Sequence, residues 1–154
     1  MSAEFMRRAI ALALENIRNG GGPFGAVVVK DGNVVAEGVN RVTANNDPTA
    51  HAEVVAIRAA CAALGTFELK GCEVYASCEP CPMCLGAIYW ARLSRVYFAG
   101  TAEDAAAAGF DDAFIYREIA MPYDHRKVVM STLLREDGNR VFRAWAAAPN
   151  KTVY

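Results

Sequence analysis

The sequence predicts an α/β fold in which a mixed sheet is covered by helices on both faces. Three observations carry this expectation: an amphipathic opening stretch, two apolar segments flanking Asp31-Gly32, and a later alternation of helical and strand patterns. The 154 residues, 54% hydrophobic and 21% charged, suffice for a single domain over 1–154 that buries most of its apolar surface.

Over residues 4–18, Phe5, Ala9, Leu12, Ala13 and Ile17 recur at helical period, and Gly20-Gly21-Gly22-Pro23 stops the helix. Gly25 to Lys30 and Val34 to Val39 read as a hairpin, because Asp31-Gly32-Asn33 suits a turn with positive φ. Asn40 to Pro48 is polar and irregular. A helix over residues 50–64 follows, capped by Thr49 or Asp47, which puts His51 and Glu53 in its first turn. Glu73 to Ser77 reads as a short strand, and Pro80 or Pro82 opens a helix bearing Cys81 and Cys84 near its start. Arg95 to Ala99 is a further strand, and Ala102 to Ala108 an alanine-rich helix ending at Gly109. Beyond it, Asp111 to Ile119 reads as helix, Val128-Val129-Met130 as a strand, and Arg140 to Ala147 as a last helix before Pro149 and the tail.

Charge and cysteine usage narrow the function classes. A formal net charge of −1 offers no basic field to hold a polyanion, so nucleic acid is not an expected partner. The first eight residues carry charges at helical spacing and lack the apolar centre of a signal peptide, and no apolar run could span a bilayer. A cytoplasmic protein without a membrane partner is expected. Five cysteines, Cys61, Cys72, Cys78, Cys81 and Cys84, suit reduced thiols better than a disulfide framework. Cys61 and Cys72 are expected as small apolar packing residues. His125, in a charged segment, and the scattered Arg7, Arg8, Arg92, Arg95 and Arg117 are assigned to solvated faces.

The chemistry concentrates in two short segments. His51-Ala52-Glu53 and Pro80-Cys81-Pro82-Met83-Cys84 supply one imidazole, two thiols and one uncommitted carboxylate. A structural zinc site closes four positions with protein ligands, whereas a catalytic one uses three and leaves the fourth to water. Three ligands at sensible spacing therefore point to a catalytic zinc. Glu53 stands two residues after His51, so on a helix they point to different sides, and Glu53 reads as a base beside the metal. Both ligand segments fall at helix starts, where free N–H groups and the positive end of the dipole favour thiolates. A Cys-x-x-Cys pair alone would equally fit a structural site or a redox dithiol. Cys78, three residues before Cys81, is expected to pack near the site, the alternative being a fourth ligand that would leave no place for water.

With Pro23-Phe24-Gly25-Ala26-Val27 and Cys78-Glu79 added, these motifs form the H-x-E…P-C-x-x-C signature of zinc deaminases, and the sequence resembles the cytidine deaminase superfamily over roughly residues 4 to 110. Leu85-Gly86-Ala87-Ile88-Tyr89-Trp90-Ala91-Arg92, Ala108-Gly109-Phe110-Asp111-Asp112, Phe114-Ile115-Tyr116-Arg117-Glu118-Ile119 and the aromatic terminus are similar to the bacterial guanine deaminases. That resemblance implies a three-layer α/β/α sandwich around a five-stranded mixed sheet, and hydrolysis of guanine, a small purine base, to xanthine and ammonia. It implies one Zn²⁺ per subunit on His51, Cys81 and Cys84, with Glu53 as proton shuttle. Asp112 is implied to contact the departing amine, the competing reading of the acidic pair being a solvated helix cap. Asn40, Phe24, Ala52, Trp90 and Tyr154 are implied to contact the base. Residues 140–154 are implied to form a C-terminal helix and tail exchanged within a homodimer. Guanosine, tRNA adenosine, and cytosine or cytidine deaminases share the metal site and remain alternatives, as does a noncatalytic zinc-stabilised interaction domain.

Overall fold

The computed structural model describes residues 2–154. The chain divides into two compact units, Met1–Ala113 and Phe114–Tyr154. The first is built on α1 (Ala3–Arg18), β1 (Gly25–Lys30), β2 (Asn33–Val39), α2 (Val42–Asn45), α3 (Ala52–Leu64), β3 (Cys72–Cys78), α4 (Pro82–Trp90), β4 (Arg95–Gly100) and α5 (Ala102–Ala107).

Asp31 and Gly32 both take positive φ, 49° and 75°, so a two-residue turn closes the hairpin as the Asp-Gly pair requires. The sheet order is β2-β1-β3-β4. β1 pairs antiparallel with both β2 and β3, while β4 lies parallel to β3 across the α4 crossover. The sheet is therefore mixed, with four strands rather than five. Val128 to Met130, expected as a strand, is exposed and irregular. The Arg126 guanidinium donates to the carbonyls of Met121 and Ile119, and the Lys127 N–H donates to Glu118, so the chain here is tied to the preceding helix.

Side-chain alternation along β1 divides the core into two layers. Val27 and Val29 join Ala9 and Tyr75 beneath α1, whereas Ala26 and Val28 join Ala56, Val74 and Ile88 beneath α3 and α4. Helices thus cover both faces of the sheet. The helices come close because glycines face them: a Cβ at Gly38 would run into the Ala52 carbonyl and stand 2.5 Å from the Ala56 nitrogen.

α3 begins later than expected. Its N-cap is His51 itself, since Asp47 accepts from the Thr49 N–H and hydroxyl and so closes the preceding loop instead of the helix. Within the irregular stretch before it, Val42–Asn45 makes a single helical turn ended by Asn46 in the left-handed region. α6 (Ala113–Ala120), a 3₁₀ turn at Tyr123–His125, and α7 (Arg135–Ala147) complete the chain. α7 starts five residues before the expected Arg140; Glu136 and Asp137 occupy its first turn, and Gly138 is carried inside the helix. No helix among the described residues is long and apolar enough to cross a membrane.

Candidate active site

Strand register assembles the site at one end of the sheet. Gly25 pairs with Val39, Ala26 with Ala76, and Cys78 with Gly100, so Phe24, Asn40, Glu79 and Thr101 all follow or precede strand ends on the same edge. The Gly25 N–H donates to Ser77 Oγ, and the Asn40 N–H to the Phe24 carbonyl. Two helix starts complete the edge: His51 caps α3 and Cys81 caps α4, with Pro82 in the first turn where its missing N–H costs nothing. The His51 side chain makes no bond to its own helix, and that of Cys81 reaches Cys84 in the first turn of α4, so both stay at the site.

His51 Nδ1, Cys81 Sγ and Cys84 Sγ form a triangle with sides of 3.5, 3.4 and 3.5 Å. A tetrahedral zinc, with Zn–S about 2.3 Å and Zn–N about 2.0–2.1 Å, spaces its ligand atoms roughly 3.5–3.8 Å apart. The three atoms fit such an ion. The Cys84 hydrogen bond, aided by His51, draws the Cys81 thiol down to about 4, and the same bond with burial pushes Cys84 up. Cys81 is thus poised as a thiolate. His51 is raised, chiefly by its bond to Cys81. Cys78 lines the pocket but stays outside the triangle: its Sγ donates to the Thr101 carbonyl at 3.7 Å, and it is not among the clustered ligand atoms.

Glu53, only 7% exposed, projects beside the triangle with Oε2 3.5 Å from Cys84 Sγ. Burial raises its carboxyl above the usual range. A pocket of about 570 Å³ opens over the cluster, lined by Phe24, Asn40, His51, Glu53, Cys81 and Asp112. The members of the acidic pair have different neighbours. Asp111 Oδ1 accepts from the Ala113 N–H and is exposed, whereas Asp112 is partly buried at the pocket, its carboxyl raised by burial and then by the Cys81 charge.

Two expected contacts are not brought into this pocket. The Ala52 side chain is in the core beneath the sheet, 1% exposed. Trp90 ends α4, whose cap is Cys81; nine residues of helical rise set it about 13 Å along the axis, and it is 66% exposed. Tyr154 belongs to the second unit and is 69% exposed.

The pocket also contains residues that the sequence reading did not select. Phe110 meets Phe24 edge to face, centroids 5.0 Å apart. Glu79 accepts the Ala102 N–H at the start of α5 and donates its own N–H to the Gly100 carbonyl. The quoted Phe110-Asp111-Asp112 and Cys78-Glu79 motifs contained both residues.

Residues 1–100 match the family profile described as the cytidine and deoxycytidylate deaminase zinc-binding region. The chain belongs to this deaminase family. The likeness to one member is close: the chain is 54% identical over 151 residues to the guanine deaminase of Bacillus subtilis (strain 168), covering 97% of each. The X-ray structure of guanine deaminase from Bacillus subtilis superposes with a TM-score of 0.97 over 100% of this chain and 99% of that one. A guanine deaminase structure from Nitrosomonas europaea is 32% identical, with a TM-score of 0.68 over 94% of this chain and 84% of that one. The tRNA-specific adenosine deaminase of Agrobacterium fabrum (strain C58 / ATCC 33970) is 48% identical over 91 residues, 56% of this deaminase and 60% of its own length. His51, Cys81 and Cys84, a group able to hold a metal ion, thus lie within the residues matched to a zinc-binding deaminase profile.

Proposed function

We propose that this deaminase hydrolyses guanine to xanthine and ammonia. The observation that carries the reading is the extent of the likeness. The family profile ends at residue 100, whereas the match to a guanine deaminase spans 97% of the chain, beyond the segment that places Phe110 and Asp112 at the pocket.

His51, Cys81 and Cys84 would hold one Zn²⁺ per subunit, which would supply the acidification of water that makes it a nucleophile at neutral pH. Glu53, dry and beside the metal triangle, takes a proton from water and delivers it to the ring nitrogen next to the attacked carbon. Its raised affinity for protons favours their capture and storage between steps. The second proton goes to the exocyclic amine. Asp112 accepts an amine N–H and guides that proton, so the carbon–nitrogen bond breaks with ammonia leaving and oxygen staying on the ring.

Asn40 presents its amide to the polar edge of the base. Phe24, backed by Phe110, covers a face of the base and excludes water. Ala52 contributes its main-chain N–H from the first turn of α3. Trp90 and Tyr154, both exposed, meet the base in a homodimer in which the tail of one subunit closes the pocket of the other. The protein acts in the cytoplasm on a free base and binds neither nucleic acid nor membrane, consistent with its net charge of −1.

The test is ammonia and xanthine formation by zinc-loaded protein, comparing guanine with guanosine, adenosine, cytosine and cytidine. Guanine is expected to give the highest kcat/KM. A protein inert towards guanine that deaminates another member of the panel would overturn the reading.

A further inference from the structure

Asn16 is the one polar residue besides Glu53 that the described residues bury, at 7% exposure, and it lies in α1, outside every motif of the reaction. Its Nδ2 donates to two main-chain carbonyls, Gly22 at 2.8 Å and Asn40 at 2.9 Å. An amide nitrogen has two hydrogens, so both are committed. The Gly21 N–H returns to the Asn16 carbonyl at 2.8 Å. Three groups of one residue's surroundings, the end of α1, the glycine loop and the end of β2, are joined there.

Asn40 is the residue this junction fixes. Its N–H donates to the Phe24 carbonyl at 3.1 Å, its carbonyl accepts from Asn16, and its Oδ1 accepts from the Val42 N–H at 3.2 Å. Because Val42 can only donate there, the oxygen of the Asn40 amide is the atom turned to the chain, and its Nδ2 is the end left for a ligand. The packing is close on the loop side as well. A Cβ at Gly21 would stand 2.7 Å from Asn16 Cγ and Oδ1 and run into its Nδ2, and one at Gly22 would stand 3.0 Å from Asn40 Cγ.

We propose that Asn16 is a positioning residue for base recognition: it clamps the Asn40 main chain and the glycine loop so that the Asn40 amide meets the substrate with its donor end. The proposal rests on the reading of Asn40 as a base contact. Removing the clamp loosens an interaction made equally in ground and transition states, which changes KM and leaves kcat. A residue that merely holds the fold would instead reduce the amount of folded, zinc-loaded enzyme.

The experiment uses the full-length zinc-loaded protein. Asn16→Ala is expected to raise KM for guanine about tenfold with kcat within about threefold and zinc content unchanged. In an Asn40→Ala background the same change should add less than about twofold, since the path through Asn40 is already cut. Gly21→Ala, whose new methyl displaces the Asn16 amide without deleting it, should copy the KM rise, and its effect should vanish when Asn16→Ala removes the atoms it strikes. Hydrogen exchange gives a reading that needs no substrate: Asn16→Ala should speed exchange at Asn40 and Val42 while the amides of α3 and α4 keep theirs. Should the parent enzyme prefer another amino heterocycle, the guanine reading falls and the same ratios are taken with that substrate. Loss of kcat and zinc at unchanged KM, KM effects that multiply with Asn40→Ala, or undisturbed exchange at Asn40 and Val42 would each overturn the clamp.

Discussion

Glu53 is buried at the pocket, and desolvation raises its carboxyl above its ordinary range, which favours the protonated form between proton transfers. Glutamine keeps the shape and removes the acid. Glu53→Gln is expected to retain zinc, measured by elemental analysis, while kcat falls about 10³-fold or more; full turnover would return Glu53 to packing. Asp111 and Asp112 offer a sharper comparison, because adjacent acids have different neighbours. Asp112→Asn should lower kcat by about 10²-fold with zinc intact, whereas Asp111→Asn should leave kcat in place, since the Asn amide oxygen also accepts from the Ala113 N–H. Equal kinetic effects of the two changes would undo the division of roles. The grouping of His51, Cys81 and Cys84 with Glu53 is legible in the sequence because each stands in or beside the first turn of a helix, and these donor types suit a metal ion. Asn16 is not legible in that way. It reads as one more polar position on an amphipathic helix, and only the return of the chain at Gly22 and Asn40 supplies its partners.

At the level of elements, the site depends on how closely α3 approaches β2. Gly38→Ala would place a methyl against the Ala52 carbonyl and Ala56 nitrogen, and the helix it displaces carries His51 and Glu53. Overpacking of this kind costs about 1–3 kcal/mol, so a lower Tm together with weaker zinc retention in a chelator titration is expected; a lower Tm with unchanged zinc affinity would show that strain is absorbed away from the site. α1 is fastened to β2 by Arg8, whose guanidinium bonds Glu37 at 2.6 and 2.7 Å. That bond holds the Glu37 carboxyl below its ordinary 4.5. A depressed carboxyl contributes stability above its unfolded value and loses it as pH falls through the folded one. The pair is partly exposed, so water limits it to about 1 kcal/mol or less. The Tm gap between the parent and Glu37→Gln should therefore be present at neutral pH and close as pH falls below 4.5; a gap that persists in acid would assign the effect to packing. Elements with a local cause, such as the Asp31-Gly32 hairpin and the Pro82 helix start, are legible in sequence. The helix cap is not, because Asp47 and Thr49 have equally good use in a loop, and nothing local distinguishes the two. Val128-Val129-Met130 has strand composition, yet a strand needs a partner edge, which composition does not supply.

The unit Phe114–Tyr154 buries almost none of its apolar side chains: Val129, Leu133 and Phe142 are 84%, 85% and 73% exposed. In the first unit, β4 is an edge strand with Phe98 half exposed. Exposed apolar surface on this scale and an open strand edge are the features a subunit interface would cover, which agrees with the homodimer proposed above. Under the proposed homodimer, the tail of one subunit completes the site of the other, which makes a mixing experiment decisive. Glu53→Gln subunits have an intact tail and no base; subunits lacking Tyr154 have the base and no closing aromatic. Each alone should show little turnover, the second through a raised KM. If the tail is exchanged, a mixed dimer joins a sound tail to a sound zinc site once per pair. Random reassociation of equal amounts makes half the dimers mixed, so about a quarter of the parent activity should return. Light scattering should give twice the 16.6 kDa of one chain. Recovery of no activity in a mixture shown to contain mixed dimers would mean that each tail serves its own subunit, since a tail acting within one chain has nothing to lend its partner.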